Sequence, residues 1–250
     1  MSNKVELKTA AEIEKMRTAG KLLRQVFNEV AKMVAPGVTT ADLDRRARKL
    51  IEDAGARPAF LGYHGFPATL CTSVNEEIVH GIPSDRELLD GDIVSVDCGL
   101  VLQGFYSDTA TTFAVGEISA KAQKLLKVTE ESLYKAIEQM HVGTRIGTVS
   151  HAVQKHAEAQ GFSIVRDYSG HGIGRAMHEA PQVPNYGRPD TGFKLVPGLV
   201  IAVEPMVNIG TYKTITLADN WTVVTADDSL SAHFEHTIAI TEDGPQILTA

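Results

Sequence analysis

The sequence has little cysteine: Cys71 and Cys98 are the only two in 250 residues. That excludes a disulfide scaffold and argues against a zinc site built from thiolates. It also lacks an excess of basic charge. The 24 Lys and Arg against 31 Asp and Glu leave a net charge of −7, which argues against a polyanion such as DNA as the main partner. No long apolar run occurs. The most apolar stretch, 195–209, is interrupted by Pro197, Gly198, Glu204, Pro205 and Asn208, so no bilayer-spanning helix is expected. The opening residues, 1–16, lack the apolar segment of a secretory signal. The rest is an ordinary globular composition, 43% hydrophobic and 22% charged, and a cytoplasmic protein with no membrane partner is expected.

Thr9 followed by Glu12 makes a capping box. Ile13, Met16, Leu23, Val26, Phe27, Val30 and Met33 then recur at helical spacing up to the break at Pro36-Gly37. A second helix is expected from Thr39 or Thr40 to Gly55, with Leu43, Ala47, Leu50 and Ile51 inward. Residues 60–115 change to short strands and turns, among them a strand from Ile93 to Val96 opened by the Asp90-Gly91 turn. Two more helices are expected over roughly 119–140 and 146–160, with strands and turns over 162–250.

The order helix, helix, strands therefore occurs twice, and residues correspond between the halves. Gly37, Leu43, Ala47 and Gly55 match Gly143, Val149, Val153 and Gly161 at one constant offset. Gly91-Asp-Ile-Val-Ser-Val-Asp97 matches Gly198-Leu-Val-Ile-Ala-Val-Glu204, and Asp108-Thr-Ala-Thr-Thr-Phe113 matches Glu235-His-Thr-Ile-Ala-Ile240. Apolar strands can align by chance; acids aligned twice are not expected to. The chain is read as a single domain, 1–250, with an internal repeat of about 10–115 and 118–245 and extra second-half residues within 207–230.

The repeat has a chemical consequence. Asp97 and Glu204 end equivalent strands, and Asp108 and Glu235 begin the next pair. Packing about a pseudo-two-fold axis gathers the four carboxylates, which must then protonate or bind cations. Two divalent ions about 3.5–4 Å apart would neutralise them, the arrangement of two-metal hydrolases. His171 completes the set. It stands in Tyr168-Ser-Gly-His-Gly-Ile-Gly174-Arg-Ala-Met-His178, where flanking glycines let the backbone pass close to a ligand and a tight turn lets His178 reach the same cavity. His80, in Val79-His-Gly-Ile-Pro83, is the other candidate. Oxygen donors with one nitrogen and no thiolate suit Mn, Fe(II), Co or Zn.

SVDCG at Asp97, YSD ending at Asp108, YSGHGIGRAMHEAPQVPNY around His171 and His178, VEP at Glu204 and FEHT at Glu235 resemble the motifs of type I methionine aminopeptidases in their short bacterial form. The resemblance covers essentially the whole chain. It implies the duplicated "pita-bread" (creatinase/aminopeptidase) fold, of α/β (α+β) class, with an antiparallel-rich sheet covered by helices. It implies the ligands Asp97, Asp108, His171, Glu204 and Glu235, with Asp108 and Glu235 bridging two divalent ions (Co, Mn, Fe(II) or Zn) per chain. The implied reaction removes the initiator methionine from nascent polypeptide N-termini when the second residue is small. Glu204 takes the part of general base, His178 that of donor to the carbonyl oxygen, and His80 a contact with the scissile amide. The implied methionine pocket comprises Phe60, Tyr63, Phe66, Cys71, His80, Met177 and Trp221. A monomer is implied. Met177, Phe66 and Phe60 stand where the family commonly has phenylalanine, tyrosine and a small residue, and all three keep the pocket apolar.

Two alternatives share the fold: a proline-directed peptidase and a non-catalytic binding protein. The first carries an additional N-terminal domain, whereas this chain starts in the repeat; the second has a degraded ligand set, whereas all five are present. His141, His151 and His156 read as solvent-facing or incidental, and His236 as turned to the other strand face from Glu235. Cys71 and Cys98 read as small buried hydrophobes, Cys71 lining the pocket. Arg45-Arg-Ala-Arg-Lys49 reads as a solvated helix face and not as a dock for the ribosome, because the whole chain is acidic.

Overall fold

The computed structural model describes residues 5–250; the first four residues of the expected 1–250 domain lie outside them. Helix α1 (Ala10–Ala31) opens on the Thr9/Glu12 capping box and buries Ile13, Met16, Leu23, Val26, Phe27 and Val30. Met33, past the helix end, is only half-buried. Helix α2 (Thr40–Asp53) opens on a second capping box, in which Asp42 serves Thr39 as Glu12 serves Thr9. It buries Leu43, Ala47 and Ile51, while Leu50 is half-buried at the margin of that face. Helices α3 (Ala120–Ile137) and α4 (Ile146–Ala159) fall inside the expected ranges.

The strands that carry the argument are β1 (Leu70–Val74), β2 (Glu77–Val79), β3 (Ile93–Leu102), β4 (Phe105–Ala114), β5 (Ser169–Gly172), β6 (Glu179–Pro184), β7 (Val200–Val203), β8 (Thr214–Thr216), β9 (Val223–Thr225) and β10 (Glu235–Thr241). The main sheet runs β3-β4-β10-β7-β5-β6, with β1 also on β3. These pairings are antiparallel.

The two-residue alternation of a strand assigns its faces. Along β3, Val94, Val96, Cys98 and Leu100 join a core under α1 and α2, which turns Ser95, Asp97 and Gly99 to the other face. Along β10, Ile238 and Ile240 join the core under α3 and α4, so Glu235 and Thr237 face away from it. Each pair of helices thus covers one half of the sheet and leaves a strip of acids uncovered.

Matching turns recur in the two halves. The Gly37 N–H donates to Leu88 O at 2.8 Å, and the Gly143 N–H donates to Leu195 O at 2.9 Å. Both glycines have a left-handed φ, +87° and +94°, which a side chain would strain. Isolated bridges join Thr39 to Glu87 and Arg145 to Lys194. The segment 207–230 contributes β8 and β9, which join β2 in a small separate sheet. Among the described residues, no helix is long and apolar enough to cross a membrane.

Candidate metal centre and substrate cavity

The five ligands expected from the sequence come from five consecutive strands of the main sheet. Asp97 is on β3, Asp108 on β4, Glu235 on β10, Glu204 directly after β7 and His171 on β5. Register brings Asp97 and Glu235 level, because Ala110 pairs with Asp97 on one side and with Glu235 on the other, and Asp108 stands two residues along on the same face of β4. The ladder between β4 and β10 covers just two pairs, and threonine side chains continue it. Thr109 Oγ1 donates to Glu235 O at 2.7 Å, and Thr237 Oγ1 donates to Asp108 O at 2.8 Å while accepting the Asp108 N–H at 3.1 Å. The main chains of Asp108 and Glu235 are therefore cross-braced.

His171 approaches from β5. A Cβ at Gly170 would lie 2.3 Å from Ala202 O, and one at Gly172 would lie 2.3 Å from Ala180 O. The flanking glycines thus serve close approach to the neighbouring chain, where the sequence suggested room for a ligand. His171 Nδ1 donates to Gly172 O at 2.9 Å. That fixes the tautomer and leaves the Nε2 lone pair facing Glu204 Oε1 at 3.6 Å.

These residues fit divalent metal. Ligand atoms of Asp108, His171 and Glu235 lie within 4.8 Å of one another. Asp97 Oδ1, Asp108 Oδ1 and Glu235 Oε1 are buried without a hydrogen-bond partner, an arrangement that costs free energy unless a cation meets them. Burial pushes the Asp97 carboxyl up to about 7. Asp108, Glu204 and Glu235 lie well above the usual carboxylate range, first through burial and then through the neighbouring acids. Burial pushes His171 down to about 3, so its ring is neutral and free to donate its lone pair.

A cavity of about 300 Å³ ends on this centre and is lined by all thirteen residues expected for metal, catalysis and pocket. Its apolar wall gathers Phe60, Phe66, Cys71 and Met177 with Tyr63 and Trp221. Phe66 and Trp221 meet edge to face at 5.1 Å. The rings of His171 and His178 lie 4.3 Å apart. Tyr63 OH and His178 Nδ1 share a hydrogen bond of 2.7 Å; with the hydroxyl as donor, the neutral ring carries its hydrogen on Nε2. Burial lowers His178 and brings His80 down to about 4, so both are neutral near pH 7.

Two histidines in the site escaped the sequence reading. His64 lines the cavity against Tyr63, 4.4 Å between rings, with a left-handed φ of +49°. His233 is buried, lies 3.9 Å from Glu204 Oε2, and has no partner for either ring nitrogen. It ends a separate short strand, Ser231–His233, paired with Met206–Asn208, two residues before β10 begins at Glu235. His236 points to the opposite face, as expected, and bonds Thr249 Oγ1 at 2.9 Å. His156 pairs with Glu131 between helices.

A curled antiparallel sheet holding a buried carboxylate-and-histidine centre defines a metal-dependent hydrolase. The Metallopeptidase family M24 model matches residues 14–242. The methionine aminopeptidase of Clostridium acetobutylicum is 55% identical over 97% of this chain and 98% of that protein. The crystal structure of methionine aminopeptidase from Rickettsia prowazekii is 44% identical, with a TM-score of 0.98 over 99% of this chain and 100% of that one. The prolidase from Pyrococcus horikoshii OT3, 22% identical, covers 98% of this chain and 63% of that one with a TM-score of 0.79, a likeness of fold alone. The chain belongs to the methionine aminopeptidases of family M24, metal-dependent exopeptidases, and has their pita-bread fold.

Proposed function

We propose that the enzyme removes the initiator methionine from nascent polypeptides whose second residue is small, using two divalent ions held by Asp97, Asp108, His171, Glu204 and Glu235. The observation that carries this is the juxtaposition of unpartnered buried carboxylates with an apolar cavity of about 300 Å³. Co, Mn, Fe(II) or Zn suits the donor set. Bound there, such ions supply Lewis-acid charge that polarises the first peptide carbonyl and acidifies water.

The chain's own groups do the rest. Glu204, raised by burial, takes a proton from the attacking water and delivers it to the leaving amine. His178, its Nδ1 held by Tyr63, offers Nε2–H to the carbonyl oxygen as negative charge grows there. His80 contacts the scissile amide. Phe60, Phe66, Cys71, Met177 and Trp221 enclose an unbranched thioether, whose burial is worth about 1.5–3 kcal/mol. A first-position lysine would lose its hydration with no partner in that wall. A cytoplasmic monomer suits the acidic surface. The basic run of α2 is met by the chain's own acids, Arg45 by Asp42, Arg46 by Glu29, Arg48 by Glu52 and Lys49 by Asp53, which supports a solvated face.

Competition kinetics on Met-Ala-Ser and Met-Leu-Ser test the assignment. Met-Ala-Ser should be cleaved far faster; equal kcat/KM for the two would overturn it.

A further inference from the structure

The turn that carries Met177 and His178 is held from behind by a buried ion pair. Lys8 Nζ meets Glu179 Oε2, with side chains 3% and 8% exposed. The other oxygen, Glu179 Oε1, accepts the Arg175 N–H at 2.7 Å and the Ala176 N–H at 3.0 Å, closing the turn upon itself. Lys8 comes from a segment that is itself fixed: its N–H donates to Gly198 O at 2.7 Å, just before β7, and Nζ also donates to Glu6 O at 2.9 Å. Gly174 makes the slot for the lysine stem, since a Cβ there would lie 2.1 Å from Lys8 Cε. A second pair, Arg175 with Glu12, ties the same turn to the first turn of α1.

A buried ion pair is a poor source of stability, because apolar side chains of similar volume do as well. What it supplies is direction: charge-assisted bonds fix the geometry of the groups they join. The groups joined here are the backbone immediately before Met177 and the residue immediately after His178. On the activity inferred above, we propose that Lys8 and Glu179 are positioning residues of the reaction. The pair sets His178 against the scissile carbonyl and Met177 against the substrate's first side chain, opposite the hold that Tyr63 has on the His178 ring. Lys8 touches no substrate atom in this role; it acts through Glu179 and the turn.

The test is a kinetic comparison of wild type, Lys8→Met, Glu179→Gln and the double variant on Met-Ala-Ser, with melting temperature and metal per chain measured alongside. Misplacing an oxyanion donor by about 1 Å costs up to about 100-fold in rate. Each single variant should therefore keep its metal content, hold KM within about threefold, and lose about 10- to 100-fold in kcat. The double variant should lose little more than either single one, because both act through one turn. Where Lys8→Met fails to fold, Gly174→Ala reports instead. It keeps both charges but evicts the lysine stem, and it should lower kcat in the same way. Variants that melt earlier yet turn over at the wild-type kcat would overturn the inference and leave a structural pair. Failure of the wild type itself to cleave Met-Ala-Ser would fault the proposed activity instead.

Discussion

On the proposed activity, His178 and Tyr63 show how one hydrogen bond prepares a catalytic group. With the Tyr63 hydroxyl as donor across the 2.7 Å to Nδ1, the neutral ring carries its hydrogen on Nε2. His178→Ala should lower kcat by about 10²–10³ with little change in KM, since an oxyanion donor acts mainly in the transition state. Raised KM with normal kcat would make His178 a ground-state contact. Tyr63→Phe removes one neutral hydrogen bond and should cost up to about tenfold in kcat. The four clustered carboxylates were legible because acids paired across the repeat. His64 and His233 were not. His64 belongs to a loop whose path depends on φ of +49°, which no spacing reveals. His233 ends a separate short strand, Ser231–His233, and its nearness to Glu204 depends on β7, remote in sequence.

The helices were read to within a few residues, because capping boxes and apolar periodicity are local signals. Strand neighbours were not legible. Nothing in the order of residues 207–230 says that β8 and β9 join β2, bringing Trp221 to within 5.1 Å of Phe66. Nor did the glycines beside His171 announce that they admit the backbones of Ala202 and Ala180. The cross-brace between β4 and β10 gives a prediction at this scale. Thr237→Val removes both bonds to the Asp108 main chain. Supports of this kind are worth about 10–100-fold in metal affinity, so calorimetric titration with Mn(II) should show a loss of that order while the fold persists. Unchanged affinity would show that the short ladder alone holds Asp108.

At the scale of the molecule, the matched Gly37 and Gly143 turns support one catalytic domain built on a repeat, with its acids along the seam. That seam couples folding to metal and pH. Asp97 rises from 3.8 when unfolded to about 7 when folded, and burial and mutual repulsion also hold Asp108, Glu204 and Glu235 well above their ordinary values. The folded metal-free state therefore binds more protons than the unfolded chain, and its stability falls as pH rises through the folded values. The buried histidines oppose this only below their unfolded value of 6.5, where the unfolded chain gains protons. From about pH 6.5 to 7.5, where Asp97 still titrates in the folded state, the metal-free protein should melt at steadily lower temperature, and the Mn(II)-loaded protein should not. Parallel curves would mean that the carboxylates are not competing sites for protons and cations. The most direct test of the account is a count of ions against activity. The protein is stripped with chelator, Mn(II) is added back in measured amounts, and cleavage of Met-Ala-Ser is followed. The account predicts no turnover without metal and recovery complete by about two ions per chain. Full turnover by the metal-free protein would contradict it.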